Sequence, residues 1–415
     1  MSGLARSRTR RRRPSLLREQ SARGGAKLAP VELLFDLVFA FAITQLAQTQ
    51  LGRLDAVGAI ETAVLFLAVW WVWICSTFAT HWLDPERSAV RLMLFVLMGV
   101  GLLMSWALPQ AFGTDGLLFA GCCVALQLGG TLFLLWALGN DHEQLTRHFR
   151  RMTVWFSVSA LLWIAGARAE LDDRLLFWAS AIAIEYAAVW IGYAVPGLGR
   201  SPSRHWAIEG EHLAERCALF VTIALGVAIL ATGSSAAEMT ATPASVAAFA
   251  VAFIGSAALW WIHAHPGSGR TALPNAHAGP GRAARRSMAY VHLPIVGGIV
   301  IWAVGGALLL KQPSGPVDLP LLVPMLAGPT LFLLGNLWLK TLISHRTPLS
   351  HLVGFALLAA IAIVSPNLEP LGVGAAVAGA LVIVAGWQTL SKRRTPPVSL
   401  PTEADRRSSL PAKMW

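Results

Sequence analysis

The chain has 415 residues, 55% of them hydrophobic and only 13% charged, about half the quarter usual for soluble globular domains. Its formal net charge of +11 is confined to the ends: nine Lys/Arg against one acid in residues 1–30, six against two in 391–415, and near neutrality between. This composition excludes a disordered chain, a disulfide-rich secreted domain and an ordinary cytosolic enzyme. The basic ends read as flanks of a membrane protein facing anionic lipid, not as a nucleic-acid surface.

The first 30 residues form a basic tail. A polar stretch follows Arg10–Arg13, and the first apolar run begins only near Val31, so no cleavable signal is expected. Twelve apolar runs then follow, at 31–51, 57–79, 89–107, 115–138, 149–167, 174–195, 208–231, 242–263, 288–310, 319–343, 350–365 and 368–390. About 20 apolar residues cross a hydrocarbon core as a helix, and these runs are too long for barrel strands. The spacing therefore predicts an all-α, polytopic transmembrane bundle of about twelve spans, closed by a second basic tail at 391–415. With both tails inside, the inner connections carry thirteen Lys/Arg and the outer ones four (Arg53, Arg168, Arg174, Lys311), which predicts cytoplasmic termini.

Ionisable groups inside a bilayer are costly, so each needs a reason. On the first helix Glu32, Asp36, Ala40, Thr44 and Ala47 share one broad face, and Gln45 lies beside it. The acids also sit where a helix N-terminus favours negative charge. On the second helix Trp70, Trp71 and Trp73 crowd toward Trp82, as interfacial anchors or as packing. Cys75, Cys122, Cys123 and Cys217 lie in apolar runs without a C-x-x-C pair and read as small buried hydrophobes. Glu185 lies near the middle of the sixth run with no basic residue in reach on its own helix. It must be neutral, paired across helices or hydrated, which marks it for proton or cation handling.

The seventh helix repeats the pattern of the first, with Glu211, Glu215, Thr222 and Gly226 on one face. The two stripes are expected to face each other across a cavity. Arg216 points about 100° away from Glu215 and seeks a partner on another helix, with Asp36 the candidate. His292, followed by Pro294, Gly297 and Gly298, reads as an interhelical hydrogen-bonder, and Gln127 and Asn336 as packing polars.

Three matches recur in order: Asp36 with Glu215, Trp70-Trp71 with Trp260-Trp261, and Gly130-Thr131-Leu132-Phe133 with Pro329-Thr330-Leu331-Phe332, at separations of 179, 190 and 199 residues. They suggest two six-helix halves, 31–207 and 208–390, in a parallel 6+6 repeat. The sequence offers no Walker loop, H-E-x-x-H or G-x-S-x-G motif, no mid-helix lysine for a retinal and only weak candidates for the deep histidine pair of a haem site. No cofactor and no metal are expected.

Several motifs are specific. The run Val31-Glu32-Leu33-Leu34-Phe35-Asp36-Leu37-Val38-Phe39 resembles the opening helix of the bacterial low temperature requirement A family. The likeness continues in His81-Trp82-Leu83-Asp84-Pro85, Gly210-Glu211-His212-Leu213-Ala214-Glu215-Arg216, Tyr290-Val291-His292-Leu293-Pro294 and Gly335-Asn336-Leu337, over about residues 28 to 355. The resemblance implies a bacterial multi-pass membrane protein linked to growth in the cold, with no defined molecular activity. This copy departs from the family pattern at Val227 and Gly306, where members carry acids, and at Gly130, where many carry arginine. The expected function is transporter-like handling of a small solute or ion, without enzymatic activity. The alternatives are a membrane-embedded redox or lipid-modifying enzyme, or a non-catalytic structural membrane protein. The sequence fixes neither the solute nor the oligomeric state.

Overall fold

A computed structural model describes residues 16–18, 29–139, 142–201, 210–237, 239–264, 280–344 and 347–393. They form twelve α-helices: α1 Pro30–Gly52, α2 Ala56–Trp82, α3 Ser88–Ala107, α4 Gly116–Leu138, α5 Glu143–Arg168, α6 Leu171–Trp190, α7 Gly210–Ala237, α8 Pro243–Ala264, α9 Pro280–Lys311, α10 Leu319–Ser344, α11 Leu349–Val364 and α12 Pro370–Arg393. The polytopic helical bundle is as the apolar runs predict. Ten helices are long and apolar enough to cross a membrane. The other two, α5 and α6, are interrupted by charge: α5 carries Arg147, Arg150 and Arg151, and α6 carries Asp172, Asp173, Arg174 and Glu185.

Local chemistry sets several helix starts. Pro30, Pro243, Pro280 and Pro370 open their helices, where a missing N–H costs nothing. The Asp55 carboxylate accepts from the Gly58 N–H at 2.6 Å and caps α2. Beside it, Arg53 bonds both Glu61 oxygens at 2.9 and 3.0 Å, joining the α1–α2 turn to the first coil of α2.

At the centre α1 packs on α2, α3, α7 and α9. The tightest helix pair is α9 with α10. There Gly298 and Gly328 let the two backbones touch: a Cβ on Gly298 would lie 2.6 Å from the Phe332 nitrogen, and one on Gly328 2.7 Å from the Trp302 nitrogen. Small residues supply such close approach where lipid gives no hydrophobic drive between helices.

Adjacencies in the first half, α1–α2, α1–α3, α3–α4, α4–α5, α5–α6 and α2–α6, have counterparts in α7–α8, α7–α9, α9–α10, α10–α11, α11–α12 and α8–α12. The matched side chains nonetheless differ in role. Trp70 and Trp71 are core residues, whereas Trp260 and Trp261 face outward. Trp70, Trp71 and Trp73 therefore pack inside the bundle instead of anchoring α2 at an interface. The Trp70 and Trp73 rings cluster with Phe220 of α7, and the Trp71 ring packs on Tyr186 of α6.

Leu16–Arg18 runs along the α2–α3 turn, with the Asp84 N–H donating to the Leu16 carbonyl at 2.9 Å and the Arg18 N–H to Trp82 at 3.0 Å. All four cysteines are buried free thiols.

Candidate functional site

Three clusters of polar side chains among the described residues contain residues singled out in the sequence. The first lies where α1, α2 and α7 meet. Asp36 and Arg216 are both fully buried and form an ion pair. Trp73 donates its indole N–H to Asp36 at 2.8 Å, and Arg216 donates to the Thr80 hydroxyl at 3.0 Å. The guanidinium also lies over the Trp73 ring, 5.9 Å from its centre. One turn before Asp36, Glu32 accepts from the Ala29 N–H at 2.9 Å and from Arg18 at 3.3 Å. Glu32 thus caps its helix, as a first-turn acid should.

On α1 the stripe faces inward. Glu32, Asp36, Ala40 and Ala47 are buried, and Thr44 and Gln45 half-buried, with the Thr44 hydroxyl turned onto the Ala40 carbonyl at 3.3 Å. On α7 the predicted stripe is turned outward: Glu215 is half-buried, Thr222 and Gly226 are exposed, and the buried face runs through Arg216, Cys217, Phe220 and Ala224. Side chains one residue apart differ by about 100° on a helix, so burying Arg216 rotates Glu215 away from Asp36. The two acids do not converge on one cavity. Glu211 lies in the first turn of α7, and its side chain falls outside the described residues.

The second cluster centres on Glu185, fully buried on α6. Gln127 of α4 donates to one carboxylate oxygen at 2.9 Å, and Trp163 of α5 donates to the other at 3.0 Å. Trp163 is itself held, because its carbonyl accepts the Trp178 indole N–H at 3.0 Å. Glu185 is therefore paired across helices with neutral donors. Asp36 and Glu185 belong to different clusters.

The third cluster joins α8, α9, α10 and α12. His263 Nδ1 lies 3.1 Å from the Asn336 side-chain oxygen, and its ring meets that of His292 edge-on at 5.8 Å. Lys340 donates to the Ile262 carbonyl at 2.9 Å and to Gln388 at 2.7 Å. His292 is thus an interhelical packing residue, though against another histidine. Among the described residues no three His, Cys, Asp or Glu come together to hold a metal.

Trp73, Thr80, Trp163 and Lys340 carry no motif that singles them out. The one signal for the two tryptophans is an indole N–H in an apolar run, which needs an acceptor when buried. None of the three departures from the family pattern falls in these clusters: Gly130 abuts Leu97, Gly306 abuts Ala252 and Thr232, and Val227 is half-buried on α7.

A bundle of this many apolar helices, with its ionisable groups paired across helices in the interior, defines a multi-pass helical membrane protein. Residues 27–386 match the family described as bacterial low temperature requirement A protein, and the chain belongs to that family. It is similar to the uncharacterized protein RA0937 of Rhizobium meliloti (strain 1021), at 39% identity over 359 residues, covering 86% of this chain and 88% of the relative. No solved structure matches it.

Proposed function

We propose that the protein is a carrier for a small solute or ion that works by relative movement of its two six-helix halves. The observation that carries this reading is the Asp36–Arg216 pair, which ties α1 to α7, the helices that open the two halves. Removing two charges from water costs several kcal/mol per ion, and well-packed apolar side chains would hold two helices as firmly. A buried ion pair at a seam earns its place as a contact that can be exchanged for water or ligand when the seam opens. The recurrence of helix adjacencies in the two halves supports a duplicated fold, in which such rocking is the common mode of transport. The Lys/Arg excess in both tails supports cytoplasmic termini in an inner membrane.

The test is uptake by proteoliposomes of a panel of labelled amino acids, sugars, organic cations and monovalent cations. Uptake above empty liposomes that is lost in Arg216→Met, with the fold retained, supports the carrier. No uptake across the panel by folded protein removes it.

One observation favours the competing lipid-modifying enzyme. His148 Nδ1 lies 2.7 Å from the Ser201 hydroxyl, both residues are buried, and Arg151 donates to the same oxygen at 3.1 Å. Because Arg151 can only donate, the Ser201 proton is directed at His148, as in a nucleophile–base pair. Labelling of Ser201 by a fluorophosphonate would favour that enzyme over the carrier.

A further inference from the structure

We propose that Glu185 is a proton-binding site, and that the proton is the ion a carrier of this fold would couple to. The second half of this statement rests on the carrier reading; the first does not. Both Glu185 oxygens accept N–H bonds, from Trp163 at 3.0 Å and from Gln127 at 2.9 Å. Alkali and alkaline-earth cations are held by shells of oxygen atoms. Here the carboxylate faces the positive ends of two N–H dipoles, so a metal cation entering the site would meet donors where it needs oxygens.

The two partners treat the two protonation states differently. An indole nitrogen only donates, so Trp163 fixes one carboxyl oxygen as an acceptor in either state. A glutamine amide carries a donor and an acceptor on opposite sides of one carbon. Toward the carboxylate, Gln127 presents its Nε2–H. Toward the neutral acid, a half-turn of the amide presents its Oε1 to the new O–H. The proton arrives on the Glu185 oxygen that faces Gln127, the amide turns over, and the Glu185–Gln127 bond is kept with its direction reversed. On release the proton passes to water admitted when the bundle opens, and the amide turns back. An arginine or lysine in the place of Gln127 would lock the charged form instead.

The surroundings leave the proton as the variable. The titratable groups whose fields reach Glu185 are the Cys75 thiol of α2, the Cys123 thiol of α4, and the Tyr186 and Tyr193 phenols of its own α6 chain segment. From α5 it is faced by Trp163 and the Ser159 hydroxyl. Tyr290 of α9 stands one residue removed, donating to the Tyr186 carbonyl at 3.1 Å. Among the described residues no arginine, lysine or histidine acts on Glu185. Trp163 is braced by Trp178 and Phe119, with ring centres 5.4 and 6.2 Å away, so the fixed half of the site stays in place while the amide moves.

The experiment is pH-difference infrared spectroscopy of the full chain in lipid nanodiscs, with no ligand beyond the buffer. The expected result is a neutral-carboxyl C=O band that grows as pH falls and is lost in Glu185→Gln. The band should be indifferent to replacing potassium by sodium at fixed pH. In Gln127→Leu it should persist at a higher frequency, because the acid O–H has lost its acceptor. A Glu185→Gln spectrum equal to the wild type, a band that does not titrate over about pH 4 to 10, or a band that responds to sodium overturns the proposal. If Glu185→Gln fails to fold, an unshifted band in Gln127→Leu overturns it equally. A titrating band with no uptake of any solute leaves the proton site and removes the carrier, and solute uptake with a silent spectrum does the reverse.

Discussion

Arg216 meets Asp36 across 180 residues of sequence with neither residue reaching the surface. The cost of that burial predicts an asymmetric mutational response. Arg216→Met leaves the Asp36 carboxylate with the Trp73 indole as its remaining donor, and breaking a buried pair this way costs about 3–5 kcal/mol. Pairing Arg216→Met with Asp36→Leu removes both charges and recovers most of that loss. Thermal unfolding in nanodiscs checks it: the single variant melts well below the wild type, and the double variant lies between them or above.

Close helix packing makes a second prediction. A side chain on Gly298 would press on the backbone of α10, which cannot yield as a flexible side chain can. Gly298→Val should cost about 1–3 kcal/mol or more by overpacking. Gly379 of α12 has nothing within 4 Å of the same position, so Gly379→Ala should be neutral or stabilising. Melting temperatures of the two variants should move in different directions.

Outside the spans, the Asp55 cap gives a pH dependence with a defined sign. The Gly58 N–H holds its carboxyl below the ordinary aspartate range, with Arg53 adding to the effect. A group whose folded-state value is depressed stabilises the fold fully above the unfolded value, about 3.9, and loses that contribution as pH falls through the folded value. Asp55→Asn should therefore flatten the acid limb of the stability profile and leave the neutral region nearly unchanged. Unfolding curves across the acid range read this directly.

The Leu16–Arg18 segment should detach without disturbing the bundle. Leu16 and Leu17 rest against the edge of the core, two backbone hydrogen bonds join the segment to the α2–α3 turn, and Arg18 pairs with Glu32. Leu17→Asp should accelerate amide exchange at Asp84, whose N–H is bonded to Leu16, while exchange in the middle of α2 stays slow. Equal acceleration at both places would show the segment to be part of the core.

Much of the fold is legible in the apolar runs because a bilayer leaves few alternatives to a helix of about 20 residues. The number of helices follows from composition, although α5 and α6 carry too much charge to count among the ten apolar spans and α5 starts at Glu143, ahead of its apolar run; the inward stripe of α1 follows from a four-residue spacing. The direction of α7 does not. Glu215 and Arg216 are neighbours, periodicity defines a face without saying which way it points, and the choice is made by Asp36 on a distant helix. The same limit applies to Glu185: its position within the sixth run marks it, but Gln127 and Trp163 become partners only through the packing of α4, α5 and α6. Trp70, Trp71 and Trp73 look like interfacial anchors because they cluster toward a helix end. They are core residues because α6 and α7 offer Tyr186 and Phe220 to stack against.

The most direct measurement of the central claim is the distance between α1 and α7 near the buried pair. Spin labels at Leu34→Cys and Thr222→Cys, both outward-facing, report it by pulsed electron resonance while the native thiols stay buried. Movement of the halves predicts two distance populations in the wild type, with the longer one enriched in Arg216→Met. A single short distance, unchanged in Arg216→Met, would contradict the account and leave the Asp36–Arg216 pair a fixed structural tie.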